Sequence, residues 1–348
     1  MISARLLKKE FILKLNKTTL IIFSLTFALI MALLLPPASA QTWKFAMISD
    51  THDDDKAHTE TGVTARLAPI ISYIIEEHPD FVLETGDLIT GVLTKKTSPV
   101  YKKYDRQYGY FQQATAPLTQ SNILLLVIRG NHDYGTFNED PAATKAYMEA
   151  FAGTMPQNGP ADAKGLSYSF VHNKLKFIML DQYVNASSGS VTLPMDLLKS
   201  ELENSLGAEH IFVMGHSPAF TLNSNTSDDA AHFNLFDQPA LRDQFWNLLT
   251  DNHVTAYVSG HKHLYSRSQV NGVAQIVIGN LGSASSFHPA NADSRLTNIF
   301  PINLVSKTEV RPGYIIFTID DSKNSITANE YWLDENNNKY LFDTYSLQ

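Results

Sequence analysis

The sequence predicts an α/β fold built on a sheet of mixed strand direction, and three observations carry that expectation. Short runs rich in β-branched and aromatic residues alternate with stretches of helical period along most of the chain, as in one α/β architecture and not in tandem modules. The stretch "SYSFVHNKLKFIML" reads as a hairpin turning at Asn173-Lys174, so part of the sheet is antiparallel. With 348 residues, 44% of them hydrophobic, the chain can bury a large core, which excludes disorder of the whole.

The first forty residues are of another kind. Arg5, Lys8, Lys9, Lys14 and Lys17 precede the seventeen-residue apolar run "TLIIFSLTFALIMALLL", which ends in "PPASA" before Gln41. This is the pattern of a secretory signal peptide cleaved after Ala40. A retained anchor is the alternative, since seventeen residues lie at the short limit of a spanning helix. Cleavage leaves residues 41–348 as one domain, exported to the periplasm or beyond, with no stable membrane insertion. It carries 22 basic against 34 acidic residues, a formal charge of −12. Neither that balance nor any basic run suits a long nucleic acid as partner. Without cysteine there are no disulfides, thiolate metal ligands or Cys nucleophiles. The oligomeric state is not legible.

In chain order, strands are expected at 44–49, 81–85, 123–128, 166–171, 175–180, 210–214, 254–259, 274–279, 314–319 and 326–332. Helical period places helices at Val63–Glu77, Val100–Ala116, Pro141–Ala152, Pro194–Ser205 and Pro239–Asp251. Pro194 and Pro239 suit a first helical turn. The polar, Pro-punctuated segment Ser283–Pro312 reads as a long surface loop.

Five of these strands end in polar clusters rich in metal-ligand types. "ISDTH" offers Asp50 and His52; "ETGDL", Asp87; "RGNHD", Asn131, His132 and Asp133; "FVMGHSP", His216; and "YVSGHKH", His261 and His263. In open α/β sheets, sites form outside the carboxyl ends of strands, where these clusters would converge. Residues i and i+2 of an extended chain point the same way, so Asp50 with His52, and His261 with His263, can each enter one site. A glycine immediately precedes Asp87, Asn131, His216 and His261, where the backbone must turn sharply or approach closely. Asp, His and Asn donors without sulfur suit Mn, Fe(II), Zn or Ni. Seven donors are too many for one catalytic ion with an open position, so two ions about 3.5–4 Å apart are inferred.

D-x-H, G-D, G-N-H-D, G-H and G-H-x-H, in this order, resemble the calcineurin-like metallophosphoesterase family. The resemblance runs from Trp43 to His263, with "VIGNLGS" at 277–283 also similar. It implies a four-layer α/β/β/α sandwich of two mixed sheets flanked by helices. It also implies that Asp50, His52 and His263 bind one divalent ion and Asn131, His216 and His261 the other, with Asp87 bridging. His132 would then face a small phosphorylated substrate, with Asp133 orienting its ring. The implied chemistry is phosphate-ester hydrolysis, in which hydroxide from a metal-bridging water attacks phosphorus in line and His132 stabilises or protonates the leaving oxygen. Purple acid phosphatases in this family carry a metal-binding Tyr three residues after the bridging Asp; this chain has Thr90 there.

Phosphodiesterase or nucleotidase specificity is an alternative within the same chemistry. A non-catalytic binding protein retaining the fold is one of another class, which an incomplete donor set would favour. His58, His78, His172, His210, His232, His253 and His288 lie outside the motifs and read as surface or core residues. Asp53–Asp55 read as a solvated run. Asn280 and His288 are weaker candidates for approaching the substrate, and Tyr134 either lines the pocket or packs locally. Asn185 and Asn225 fit the glycosylation pattern, which has force only in a eukaryotic host.

Overall fold

The apolar run Thr42–Ile48 forms β1, which pairs in parallel with β2 (Phe81–Glu84) and antiparallel with β11 (Gly313–Asp320). In this computed structural model the described residues are 42–52, 60–94, 96–135, 138–186, 190–220, 234–282, 292–300 and 310–347. All belong to one unit, Thr42–Gln348. The signal-peptide reading therefore lies outside them. None of the helices among them is long and apolar enough to cross a membrane.

Two mixed sheets result. The first has β13 (Lys339–Leu347), β12 (Ser325–Leu333), β11, β1, β2 and β3 (Leu124–Val127) in that order. The second runs β10 (Thr297–Phe300), β8 (Tyr265–Val270), β9 (Val273–Ile278), β7 (Ala256–Ser259), β6 (His210–Met214), β5 (Leu175–Met179) and β4 (Tyr168–His172). β4 and β5 form the expected hairpin, with Asn173 at φ 51° in its two-residue turn.

The sheets face one another through interlocked phenylalanines. Phe45 is fully buried, with ring centroids 4.6 Å from Phe317, 5.1 Å from Phe177 and 5.5 Å from Phe81 and Phe212. Burial of such a side chain contributes about 1.5–3 kcal/mol. The outer faces are covered by helices. Against the first sheet lie α1 (Leu67–Glu76), which buries Leu67, Ile70, Ile71 and Ile74, and α2 (Tyr104–Gln120), which buries Tyr108, Phe111 and Leu118. After the short turn α3 (Asn131–Tyr134) and α4 (Pro141–Tyr147), α5 (Met195–Glu203) and α6 (Pro239–Asp251) cover the second sheet. Leu198, Phe245, Trp246 and Leu249 there meet Val213, Tyr257 and Val277. The order helix, sheet, sheet, helix is the four-layer sandwich expected.

The differences from expectation have local causes. α1 begins at Leu67 and not at Val63, because Val63 forms a β-bridge with His52 and the Thr64 N–H donates to the Thr51 carbonyl. α2 runs past Pro117 to Gln120 and stops where Asn122 turns left-handed at φ 59° and the Ile123 N–H closes on the Leu118 carbonyl. The expected loop Ser283–Pro312 contains a strand, β10, paired with β8; residues 283–291 and 301–309 lie outside the described residues.

Candidate metal centre

Seven of the sequence-predicted site residues, together with His132 and Asp133, leave the carboxyl ends of β1, β2, β3, β6 and β7 and meet above the sandwich. Asp50 (φ 57°), Asp87 (φ 58°) and His261 (φ 66°) are left-handed, a conformation that costs non-glycine residues free energy and clusters at functional sites. At Gly130 a Cβ would lie 2.7 Å from Asp87 Cγ, so only glycine lets the β3 turn reach that carboxylate.

Three sets of donor atoms lie within 4.8 Å of one another: Asp50, His52 and His263; His52, Asp87 and His132; and Asp87, His216 and His261. Asp87 belongs to two of them. In the first set His263 Nε2 stands 3.4 Å from Asp50 Oδ1 and 3.0 Å from His52 Nε2. Asn131 joins the last, its Oδ1 being 3.1 Å from His216 Nε2 and 2.9 Å from His261 Nδ1. Both clusters are largely buried, Asp50 and His216 completely.

The ring orientations fit cations. His216 Nδ1 lies 2.9 Å from the Thr85 carbonyl, so that nitrogen carries the proton. Nε2 then turns a lone pair on Asp87 Oδ2 at 3.1 Å and Asn131 Oδ1 at 3.1 Å. Converging lone pairs of this kind are resolved only by a proton or a cation. Burial opposes a charge on His216, yet Asp87 and Asp50 outweigh it and push its pKa up to about 9. Burial likewise opposes charge on Asp87, but His216, His132 and His52 hold it well below the usual carboxylate range. The pocket thus calls for positive charge, and its oxygen and nitrogen donors fit a binuclear metal site.

His132 is held differently. Its backbone N–H donates to Asp87 Oδ1 at 2.8 Å, its ring lies 4.5 Å from that of His52, and its Nε2 is 3.9 Å from Asp87 Oδ2. Its Nδ1 lies 2.9 Å from the Thr90 carbonyl. This corrects the expectation that Asp133 orients the ring. Asp133 Oδ2 instead accepts from the N–H groups of Gly130 at 2.9 Å and Leu88 at 3.1 Å, and Oδ1 accepts from the Tyr108 hydroxyl at 3.1 Å. Burial and nearby Asp87 push Asp133 up to about 7. Its work is to tie the β3 turn to the β2 turn.

Asn234, which no motif signalled, places its Oδ1 2.6 Å from His261 Nε2 and so directs Nδ1 at Asn131. Other expectations resolve more simply. Tyr134 packs locally, stacked 5.5 Å from Tyr183 with its hydroxyl donating to the Ala186 carbonyl. Asn280 Nδ2 donates to the Arg311 carbonyl and to Glu330 Oε1. His172 pairs with Asp80 and His210 meets Thr255 and Asn324. Asn185 donates to Asp162. Residues 53–55, His58, Asn225, His232 and His288 lie outside the described residues.

Comparisons with known proteins agree with this geometry. The chain is 26% identical over 258 residues to purple acid phosphatase 15 of Arabidopsis thaliana, spanning 67% of this chain and 46% of that protein. Purple acid phosphatase 23 of the same plant matches at 26% over 254 residues, covering 67% and 49%. The chain therefore spans about half the length of these curated relatives. Among solved structures, purple acid phosphatase PPD1 from yellow lupin superposes with a TM-score of 0.63 at 15% identity, over 89% of this chain and 54% of that one. GAP50, the anchor in the inner membrane complex of Plasmodium, does so at 0.57 and 16%, over 88% and 89%. These two likenesses show the fold. The family model described as calcineurin-like phosphoesterase matches residues 44–265, more than half of the chain, and the protein belongs to that family.

Proposed function

We propose that the protein is an exported two-metal hydrolase of phosphate esters. The observation that carries this is Asp87, whose carboxylate lies in donor sets with both clusters, with His52 and His132 in one and with His216 and His261 in another. Asp50, His52 and His263 would hold one divalent ion and Asn131, His216 and His261 the other, with Asp87 between them. Bound there, two dications neutralise phosphoryl oxygens and lower the pKa of bound water toward neutrality. Mn, Fe, Zn and Ni suit the donors. Thr90 donates its hydroxyl to the Gly62 carbonyl at 3.1 Å, and we read the pair as two dications without a phenolate from that position.

The chain's own residues do the rest. Asp87 keeps its negative charge against burial because three imidazoles surround it. The Thr90 carbonyl accepts from His132 Nδ1–H, so Nε2 is the nitrogen left to act, and it would give a proton to the departing oxygen from the doubly protonated imidazolium, returning to the Nδ1–H tautomer. Asp133 and Tyr108 hold the turn that sets where His132 stands. The first forty residues supply the export reading.

The test is to express residues 41–348, quantify bound metal, and compare hydrolysis of aryl phosphate monoesters and diesters with Mn, Zn, Fe or Ni supplied. Bound metal with turnover of one class is expected. Absence of both with every ion would sink the enzyme reading. Asn234→Ala should lower metal affinity about 10- to 100-fold, as for other outer partners of a ligating histidine. Equilibrium dialysis against Mn checks this, and unchanged affinity would remove Asn234 from the account.

A further inference from the structure

The turn after β9, Gly279–Gly282, rests against two donors of one set. A Cβ on Gly282 would lie 2.8 Å from both Cδ2 and Nε2 of His263, and one on Gly279 would lie 2.9 Å from Asp50 Oδ2. Real side chains do not come so close, so these glycines let the backbone wall in the Asp50–His263 pair. Between them stands Asn280, buried, whose Nδ2 donates to Glu330 Oε1 at 2.9 Å and to the Arg311 carbonyl at 3.1 Å. Trp332 Nε1 donates to the same Oε1 at 2.9 Å. Glu330 is fully buried in β12, between Ile315 of β11 and Asp343 of β13.

This carboxyl group is an unusual choice for a core. Oε2 has no hydrogen-bond partner, and burial pushes the group well above the usual carboxylate range. An apolar side chain would pack there without the cost of an orphaned polar atom. What Glu330 provides is therefore the two hydrogen bonds that Oε1 accepts. One comes from Asn280, which with Leu281 separates the two glycines.

We propose that Glu330 is a positioning residue for the metal centre: through Asn280 it fixes the Gly279–Gly282 turn against Asp50 and His263, and so sets the affinity of the ion those two residues hold. The C-terminal strands, beyond the residues 44–265 that match the family, thereby contribute to the site. The inference rests on the two-ion reading above. Because the acceptor and not the charge matters, Gln at 330 can do the same work, whereas Ala cannot.

The test is a Mn(II) titration of the purified protein followed by electron paramagnetic resonance, which separates isolated from spin-coupled ions. Wild type should bind two ions and show the coupled signal. Glu330→Ala and Asn280→Ala should retain one ion at wild-type affinity and bind the second about 10- to 100-fold more weakly. Glu330→Gln should titrate as wild type. If Glu330→Ala loses its cooperative melt, Asn280→Ala, which leaves β12 unchanged, carries the comparison. Two ions bound at wild-type affinity by Asn280→Ala, or Glu330→Gln as weak as Glu330→Ala, would overturn the positioning role alone. No Mn bound by wild type would overturn the two-ion reading itself, and this inference with it.

Discussion

Asp87→Asn is expected to leave the chain folded, to empty the metal centre and to abolish phosphate-ester hydrolysis. The substitution suits the backbone, because Asn tolerates the left-handed φ of 58° at this position better than other non-glycine residues. It does not suit the charge. Asp87 Oδ1 accepts the His132 N–H at 2.8 Å, and Oδ2 faces His216 Nε2 at 3.1 Å. An amide can keep one of those contacts only by presenting a donor, or a neutral oxygen, where a cation is meant to sit. Outer partners of metal ligands are worth about 10- to 100-fold in affinity, and loss of a donor shared by both ions should exceed that for the pair. Metal analysis after dialysis and a monoester assay check it. Two ions retained by the folded variant would contradict the bridging assignment.

His132→Ala should behave in the opposite sense, keeping both ions and losing turnover. Its Nε2 stands 3.9 Å from Asp87, beyond the 3.1 Å of His216, and its Nδ1 is committed to the Thr90 carbonyl. A group that serves as acid in the transition state is worth about 10²- to 10⁴-fold in kcat. The loss should shrink for substrates whose leaving group needs no proton, such as nitrophenyl esters against alkyl esters. Steady-state kinetics on both, with metal content measured on the same samples, separates the roles. An emptied site would make His132 a ligand, and an equal loss on both substrates would remove its part as acid.

Much of this was legible in the sequence because strands that pack into the sandwich announce themselves as unbroken apolar runs, whether buried throughout, as β6 is, or only toward the carboxyl end, as β3 is. "ILLLVI" and "HIFVM" could be little else, and the polar residues that interrupt them mark the strand ends where the site forms. Strands of mixed composition were missed. β13, "KYLFDTYSL", is an edge strand whose Lys339, Asp343 and Thr344 dilute the alternation, and β8, "YSRSQV", follows the His261–His263 cluster with only its ends apolar. Backbone acceptors were invisible altogether. The carbonyls of Thr85 and Thr90 fix the tautomers of His216 and His132, and a carbonyl carries no side-chain signal. Asp133 was misread for a related reason: adjacency to His132 suggested a partner for its ring, but in the helical turn Asn131–Tyr134 its carboxylate folds back to the N–H of Gly130, as at a helix start.

The central claim is that one carboxylate, that of Asp87, lies between two metal ions, and anomalous scattering from crystals grown with Mn tests it most directly. The account predicts two peaks about 3.5–4 Å apart, one against Asp50, His52 and His263, the other against Asn131, His216 and His261, with Asp87 touching both and His132 neither. A single peak, or a second one coordinated by His132 in place of Asp87, would contradict it.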